Sequence, residues 1–254
     1  MRIGNATLKR LGAFQGEPDE HGSVPWLRCP SIDGQPIKPF TRTLAKIVAF
    51  VNDTFGTNCN IAKIQQYMHG NAVIHSHSDK VIDLAVGEPI FIIHAGAPRD
   101  LVMTPKPEPV GNDELEPYRF RKTDNSCVIL TYDDNLKWCH GVCREETREA
   151  PPAGAQQNNA TPDDASNARR HLSEKERAEA SITIVLRETV TFKRSDGWLT
   201  GPRTAEPTAR DLAAHDDSDD GAYTQAMVET YSTDNRCDTG LDIYESVIKN
   251  AARV

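Results

Sequence analysis

The spacing of apolar residues predicts one amphipathic helix in the first quarter of the chain. Between residues 41 and 55, apolar side chains recur with the period of a helix that buries one face. These residues are Leu44, Ile47, Val48, Val51 and Phe55. Gly56 follows directly, and glycine is a common helix stop signal. We therefore expect a helix that packs on the outside of a sheet.

The rest of the apolar pattern is typical of short strands. Runs rich in β-branched, aliphatic and aromatic residues lie at 61–67, 90–93, 101–103, 118–120, 127–132, 181–186 and 190–192. Proline-rich or polar turns separate these runs. This order favours a sandwich or a barrel over an alternating βαβ fold. The predicted fold class is mainly β with flanking helices, within the α+β class.

Changes in composition divide the chain into three regions. Residues 1–40 are punctuated by prolines and are predicted to form an irregular N-terminal extension. Residues 41–200 form the predicted domain, with a flexible insertion near 145–170, where bulky apolar residues are almost absent. Residues 201–254 are predicted to combine an acidic loop with a C-terminal helix near 241–248.

Net charge, apolar runs and cysteine pattern indicate where the protein is located and what kind of surface it has. The formal net charge of -8 argues against a broadly basic surface for nucleic acid, although it leaves room for a local basic groove. No run of about 18 apolar residues occurs, so we expect no membrane association. The N-terminal residues lack the apolar stretch of a signal peptide, and the six cysteines form no paired CxxC motifs. These features indicate an intracellular protein of the cytoplasm or nucleus.

One short segment carries residues that suit a metal ion. His77 and Asp79 are two positions apart, so in an extended segment both point to the same side. Two histidines and one carboxylate form the facial triad of non-haem Fe(II) oxygenases, and the third ligand must come from a distant strand. His75 shares the predicted face with His77, and His69 and His94 are further alternatives.

An ordered series of motifs resembles the AlkB-like branch of the Fe(II)- and 2-oxoglutarate-dependent oxygenases. The series runs through Tyr67, Gly70, Ile74, His77 and Asp79, then Gly96-Ala97-Pro98-Arg99, then Trp138-Cys139-His140-Gly141-Val142, and ends at Arg187. The resemblance extends over about residues 60–194. It departs from the family pattern at Ser181, where many relatives have an additional arginine, and at Lys80 and Val81, near where many have an acidic residue.

The resemblance implies a double-stranded β-helix, or jelly-roll, core with iron bound by His77, Asp79 and His140. Its co-substrates would be 2-oxoglutarate and molecular oxygen. Arg187 is predicted to bind the far carboxylate of 2-oxoglutarate, because a guanidinium meets a carboxylate with two parallel hydrogen bonds. Arg194 is the competing residue for that role. Further predicted co-substrate contacts are Tyr67, Thr183 and Gln65.

The same resemblance suggests N-methylated bases in DNA or RNA as the substrate. Trp26 and Trp138 are then candidate stacking groups, and Arg99 is a third candidate substrate contact. Arg2, Lys9 and Arg10 are candidate phosphate contacts. Two alternatives stay open at this point: a 2-oxoglutarate-dependent hydroxylase of a protein side chain or small molecule, and a non-catalytic jelly-roll binding module.

Overall fold

The computed structural model describes most of the chain. The described residues are 2–3, 6–7, 10–28, 36–68, 70, 72–107, 115–143, 179–203, 229–237, 240–242 and 244. The predicted insertion near 145–170 and nearly all of the predicted acidic loop lie outside these residues, as does His69. In the described part of the chain, no helix is both long and apolar enough to span a membrane.

Short strands are the main secondary structure of the described residues. The strands are β1 (Arg2–Ile3), β2 (Ala6–Thr7), β3 (Arg10–Gly16), β4 (Val24–Pro25), β5 (Ile61–Tyr67), β6 (Ile74–His77), β7 (Ile90–Gly96), β8 (Arg99–Pro105), β9 (Tyr118–Lys122), β10 (Ser126–Leu130), β11 (Trp138–Val142), β12 (Ser181–Arg187), β13 (Phe192–Lys193) and β14 (Leu199–Thr200). The helices are α1 (Arg42–Phe55), α2 (Tyr132–Lys137), a 3-10 turn at Val81–Asp83 and a helical segment at 229–234.

Strand β3 and strands β5 to β12 form two facing antiparallel sheets. The larger sheet has the order β10-β7-β12-β5-β3, and the smaller has the order β6-β11-β8-β9. The chain crosses between the sheets after β5, β6, β7, β9, β10 and β11, so that each sheet interleaves early and late strands. This interleaving is the strand order of a jelly roll. The predicted mainly β fold with a jelly-roll core is confirmed.

Helix α1 covers the outer face of the larger sheet, as its amphipathic pattern predicts. The Thr41 hydroxyl accepts a hydrogen bond from the backbone N–H of Leu44 (3.4 Å) at the first turn. Gly56 ends the helix in the left-handed region at φ 66°. The buried face packs against Phe91 of β7 and Leu186 of β12. The sheet is thus covered on its outer side, and its inner side is left to form the core and the site.

The N-terminal region contains a strand that the sequence did not predict. Residues 1–40 were expected to be irregular, but β3 pairs antiparallel with β5 along its whole length, from Arg10↔Tyr67 to Gly16↔Ile61. Its sequence, RLGAFQG, contains two glycines and no β-branched residue, so intrinsic β-propensity is low. Backbone pairing with β5 and burial of Phe14 hold it in place instead.

The C-terminal region supports the smaller sheet. Residues 229–234 are helical, whereas no helix was predicted there. Tyr231 and Tyr244 pack with Val81, Ile82 and Tyr132 in a second apolar cluster. Residues 242 and 244 are helical within the predicted C-terminal helix, of which the remainder lies largely outside the described residues.

Candidate metal centre

The three predicted metal ligands lie together between the two sheets. The ligand atoms of His77, Asp79 and His140 are all within 4.8 Å of one another. His77 on β6 is the cross-strand partner of His140 on β11, and their ring centroids are 4.6 Å apart. Pairing of these two strands therefore brings together residues that are far apart in the sequence.

A β-bulge decides which histidine faces the interior. His140 pairs with His77 and Val142 pairs with Ile74, so a step of two residues on β11 matches a step of three on β6. The simple alternation that put His75 on the same face as His77 is therefore broken. His75 is exposed and lies outside the cluster.

Gly141 permits this close approach of the two strands. A Cβ atom on Gly141 would lie 2.9 Å from the carbonyl oxygen of Ile74 and 3.1 Å from the backbone nitrogen of Ser76. Those separations are too short for a side chain to be accommodated without movement of the backbone. Glycine at this position therefore keeps the bulge, and with it the orientation of His77.

A backbone contact fixes the ring of His77. Its Nδ1 lies 2.9 Å from the carbonyl oxygen of His75, and because a carbonyl oxygen can only accept, Nδ1–H is the donor. In the neutral ring Nε2 then carries the lone pair. A histidine held by one ring nitrogen in this way is oriented to offer the other to a metal ion.

Asp79 follows the end of β6 and is held by contacts to its backbone and its side chain. Its N–H donates to Asn135 Oδ1 (2.9 Å), and Asn135 Nδ2 donates back to the Asp79 carbonyl oxygen (2.8 Å). Arg187 donates from Nη2 to one carboxylate oxygen (2.5 Å) and from Nε to the other (3.1 Å). Asn135 thereby sets the position of the loop, and Arg187 sets the orientation of the carboxylate.

The protonation states of the three groups suit a divalent metal ion. Burial lowers the pKa of His77, and burial lowers the pKa of His140 to about 3, so both rings are neutral near pH 7. Burial alone would raise the pKa of Asp79, but the charge of Arg187 and its hydrogen bond to the carboxylate lower that pKa overall. Two neutral imidazoles and one carboxylate anion form a donor set that fits Fe(II).

A cavity extends from the triad between the two sheets. Its volume is ≈ 380 Å³, counted with the open space at its mouth. Residues that line it include His77, His140, Arg187, Tyr67, Gln65, Thr183 and Lys122. The three predicted co-substrate contacts Tyr67, Gln65 and Thr183 thus lie in the same cavity as the two histidines.

Sequence comparison relates this arrangement to a known group of proteins. No profile of a known protein family matches the chain. The DNA oxidative demethylase ALKBH2 of Bos taurus is 28% identical over 107 residues, which are 41% of this chain and 38% of that protein. The chain is AlkB-like in sequence. The match spans about two fifths of the length of this relative, so activity and substrate are taken up below as proposals.

A solved structure gives a second comparison. The structure titled "The structure of OsALKBH1" overlays with a TM-score of 0.42 and 14% sequence identity, covering 71% of this chain and 78% of that one. The jelly-roll order of this AlkB-like chain is established by its own strand pairing.

Arg187 is not placed as the sequence predicted. It was expected to face the far carboxylate of 2-oxoglutarate, but both of the donor nitrogens described above are directed at Asp79. The competing residue, Arg194, is largely exposed and pairs with Asp196 at 2.6 Å. Two of the three guanidinium nitrogens of Arg187 thus contact Asp79, while Arg187 also lines the cavity.

Two of the three predicted substrate contacts are buried. Trp26 is 5% exposed in the core, and its ring lies 4.3 Å below the Lys193 ammonium. Arg99 is 1% exposed and donates to the carbonyl oxygen of Glu179 (2.8 Å). Neither side chain lines the cavity that contains the two histidine ligands, so both assignments remain predictions. Trp138 is partly exposed and makes an edge contact with Tyr118, with ring centroids 5.0 Å apart.

The alternative metal ligand His94 lies outside the triad. His94 is fully buried, and its Nε2–H donates to the carbonyl oxygen of Ala97 (2.8 Å), away from the triad.

Sequence reasoning missed Asn135 and Lys122. Lys122 could have been found from the alternation Tyr118, Phe120, Lys122, which puts a lysine on the inward face of β9. No signal in the sequence marks Asn135.

Proposed function

We propose that the protein is an Fe(II)- and 2-oxoglutarate-dependent dioxygenase. The observation that supports this most is the convergence of His77, Asp79 and His140, two of which line a cavity between the sheets. Three protein ligands on one side leave further positions open for small molecules. The sequence match to an oxidative demethylase is a second, independent support.

The residues of the chain have distinct tasks in this function. His77, Asp79 and His140 hold the metal ion, and Arg187 keeps Asp79 ionised and oriented. Ile92, Leu101 and Val142 line the cavity with apolar groups and exclude water from it. When bound, iron and 2-oxoglutarate supply the oxidising power that uses O₂ to hydroxylate a C–H bond, with succinate and carbon dioxide as co-products.

We propose an N-methylated base in nucleic acid as the substrate. A hydroxylated N-methyl group releases formaldehyde, and that reaction is a demethylation. Trp138 lies two residues before His140 on β11, and Tyr118 beside it is 47% exposed. An exposed aromatic pair next to the metal ligands suits stacking against a flipped or single-stranded base.

Charge favours a second candidate substrate class. The net charge is -8, and the exposed Arg119 and Arg121 on β9 both pair with Asp100, at 3.6 and 3.2 Å. These arginines are therefore partly neutralised as phosphate contacts. A protein side chain or a small molecule, hydroxylated by the same centre, fits that surface better than a long nucleic acid does.

The test separates metal binding, turnover and substrate. Succinate formation from 2-oxoglutarate is measured with Fe(II), alone and with N-methylated oligonucleotides, a peptide library or small molecules. His77→Ala, Asp79→Ala and His140→Ala are each expected to abolish turnover and to weaken Mn(II) binding, whereas His75→Ala is expected to retain both. Metal binding without succinate formation under any condition would instead identify a non-catalytic binding module.

A further inference from the structure

The inner end of the cavity contains a buried lysine. Lys122, the last residue of β9, is 2% exposed and lines the cavity together with both histidine ligands. Its Nζ donates to Thr183 Oγ1 at 3.4 Å. Among the described residues no carboxylate forms an ion pair with it, and the charged group that affects it is Arg99, which carries the same sign.

An ammonium group in this position is costly without an anion. Transfer of an isolated charge from water to a protein interior is strongly unfavourable unless the charge is paired. One weak hydrogen bond to a hydroxyl does not compensate for it. Burial, together with the charge of Arg99, lowers the pKa of Lys122 to about 8. An anionic group bound from the cavity would supply the missing partner.

The strand register gives the position of Lys122 relative to the metal ligands. Lys122 pairs with Arg99 on β8, whereas His140 pairs with Met103 on the same strand. Lys122 therefore lies four positions farther along β8 than His140, which is about 13 Å measured along the strand. Because a lysine side chain is long and flexible, Nζ can approach from that end a ligand that begins at the triad.

The other cations of the cavity are less suited to bind an anion there. Arg187 is already directed at Asp79 by two hydrogen bonds. Lys63 also lines the cavity, but it is only partly buried, and its ammonium lies 5.8 Å from the Phe14 ring centroid. Lys122 is the cation that combines deep burial, access to the cavity and the lack of a carboxylate among the described residues.

We infer that Lys122 and the hydroxyl of Thr183 form the binding site for the distal carboxylate of 2-oxoglutarate. The inference rests on the proposed function, since it takes the 2-oxo acid end of the same molecule to lie at the metal. It transfers the anchoring role from Arg187 on β12 to a residue of the opposite sheet. A ligand bound in this way spans the cavity from the His77 and His140 end to the Lys122 end.

Calorimetric titration of the full chain loaded with Mn(II) tests the inference. The ligands are 2-oxoglutarate and 2-oxobutanoate, a 2-oxo acid without the distal carboxylate. Lys122→Met is expected to weaken 2-oxoglutarate binding by at least about 30-fold, with little change for 2-oxobutanoate and for Mn(II). Lys122→Arg is expected to recover part of the loss, and Lys46→Met, which changes an exposed lysine of α1 outside the cavity, to bind like the wild type.

The outcomes separate the inference from the proposed function. Unchanged 2-oxoglutarate affinity in Lys122→Met, with Mn(II) bound, would overturn the role of Lys122. Failure of the wild type to bind Mn(II) or any 2-oxo acid would instead overturn the proposed function. If Lys122→Met does not fold, Thr183→Val and Lys122→Arg are compared with the wild type. Equal preference of all three for 2-oxoglutarate over 2-oxobutanoate would again overturn the inference.

Discussion

Asp79 gains its orientation from neighbours that do not themselves bind the metal. Asn135 on helix α2 forms hydrogen bonds with both the N–H and the carbonyl oxygen of Asp79, and Arg187 forms an ion pair with the carboxylate. Asn135 is 1% exposed, so its amide has no alternative partner in water. Such outer contacts commonly contribute to metal affinity as strongly as a weak ligand does.

Replacement of Asn135 is therefore expected to weaken metal binding. Asn135→Ala leaves the buried N–H of Asp79 without its acceptor and releases the loop that carries the carboxylate. We expect Mn(II) affinity to fall by about 10- to 100-fold, measured by titration at constant pH. Asp133→Ala changes an exposed residue of the same helix and is expected to bind Mn(II) normally. Equal affinity in the two variants would contradict the role of Asn135.

Lys122 predicts an unusual dependence of stability on pH. Its pKa is lowered to about 8 from 10.5, so between these pH values the unfolded chain binds more protons than the folded one. Stability then rises with pH over that window. The groups that face Lys122 are Arg99 from β8, His94 from β7, Thr183 from β12 and His140 from β11.

The measurement is urea unfolding of the metal-free protein at pH 7.5 and at about pH 10. Relative to Lys122→Met, the wild type is expected to gain stability at the higher pH. Binding of 2-oxoglutarate should change in the opposite direction and weaken above about pH 8, because the free protein loses the ammonium charge there. A difference between wild type and variant that does not vary with pH would contradict the lowered pKa.

At the scale of elements, the bulge between β6 and β11 positions the metal site. Gly141→Val introduces a Cβ atom 2.9 Å from the carbonyl oxygen of Ile74, so the strands must separate. We expect both a lower melting temperature and weaker Mn(II) binding. Gly12→Ala on β3 is the control, because its Cβ would make an ordinary contact of 3.9 Å with the carbonyl oxygen of Ile64. Normal Mn(II) binding by Gly141→Val would show that His77 does not depend on the bulge.

Elements were predictable from the sequence where local signals act alone. Helix α1 has a Thr41 cap, an apolar face and Gly56 as its end, and all three are visible in the sequence. Strand β3 has none of these signals, because its stability comes from pairing with a strand that is distant in the sequence. The jelly-roll order followed from the resemblance of ordered motifs rather than from any single strand.

The sequence was enough to predict which residues form the triad, but only part of how the side chains around it are arranged. The triad residues were identified from motif order, and the structure brings their ligand atoms together. The exclusion of His75 depends on a bulge, which appears only when two strands are paired. The pairing of Arg187 with Asp79 depends in the same way on tertiary contacts. Lys122 was missed because a charged residue in a strand is usually assigned to the solvent side.

At the scale of the whole molecule, a C-terminal segment around Asp234 packs against the chain between His77 and Asp79. Asp234 is fully buried and accepts hydrogen bonds from Lys106 Nζ (3.2 Å) and the Tyr244 hydroxyl (2.7 Å). Its carbonyl oxygen accepts a hydrogen bond from the Ser78 hydroxyl (3.2 Å). Ser78 lies between His77 and Asp79, so the segment around Asp234 is joined here to the segment that carries two of the triad residues.

Loss of the Asp234 carboxylate is expected to destabilise the protein. Asp234→Ala leaves Lys106, which is 1% exposed, without its buried carboxylate partner. Breaking such a pair typically costs about 3–5 kcal/mol, measured as the free energy of unfolding in urea. Asp242→Ala removes an exposed carboxylate nearby and is expected to have little effect. Similar stabilities of the two variants would show that the ion pair does not hold the segment.

Strand β3 has a consequence for the behaviour of the protein in solution. It occupies the outer position of the larger sheet and satisfies the backbone groups of β5 over seven residues. Without it, β5 would present an open row of donors and acceptors, which is a template for pairing with another chain. Residues 10–16 therefore keep the backbone of β5 from pairing with another chain. We expect that removal of these residues leaves the metal ligands in place and increases self-association, measured by light scattering.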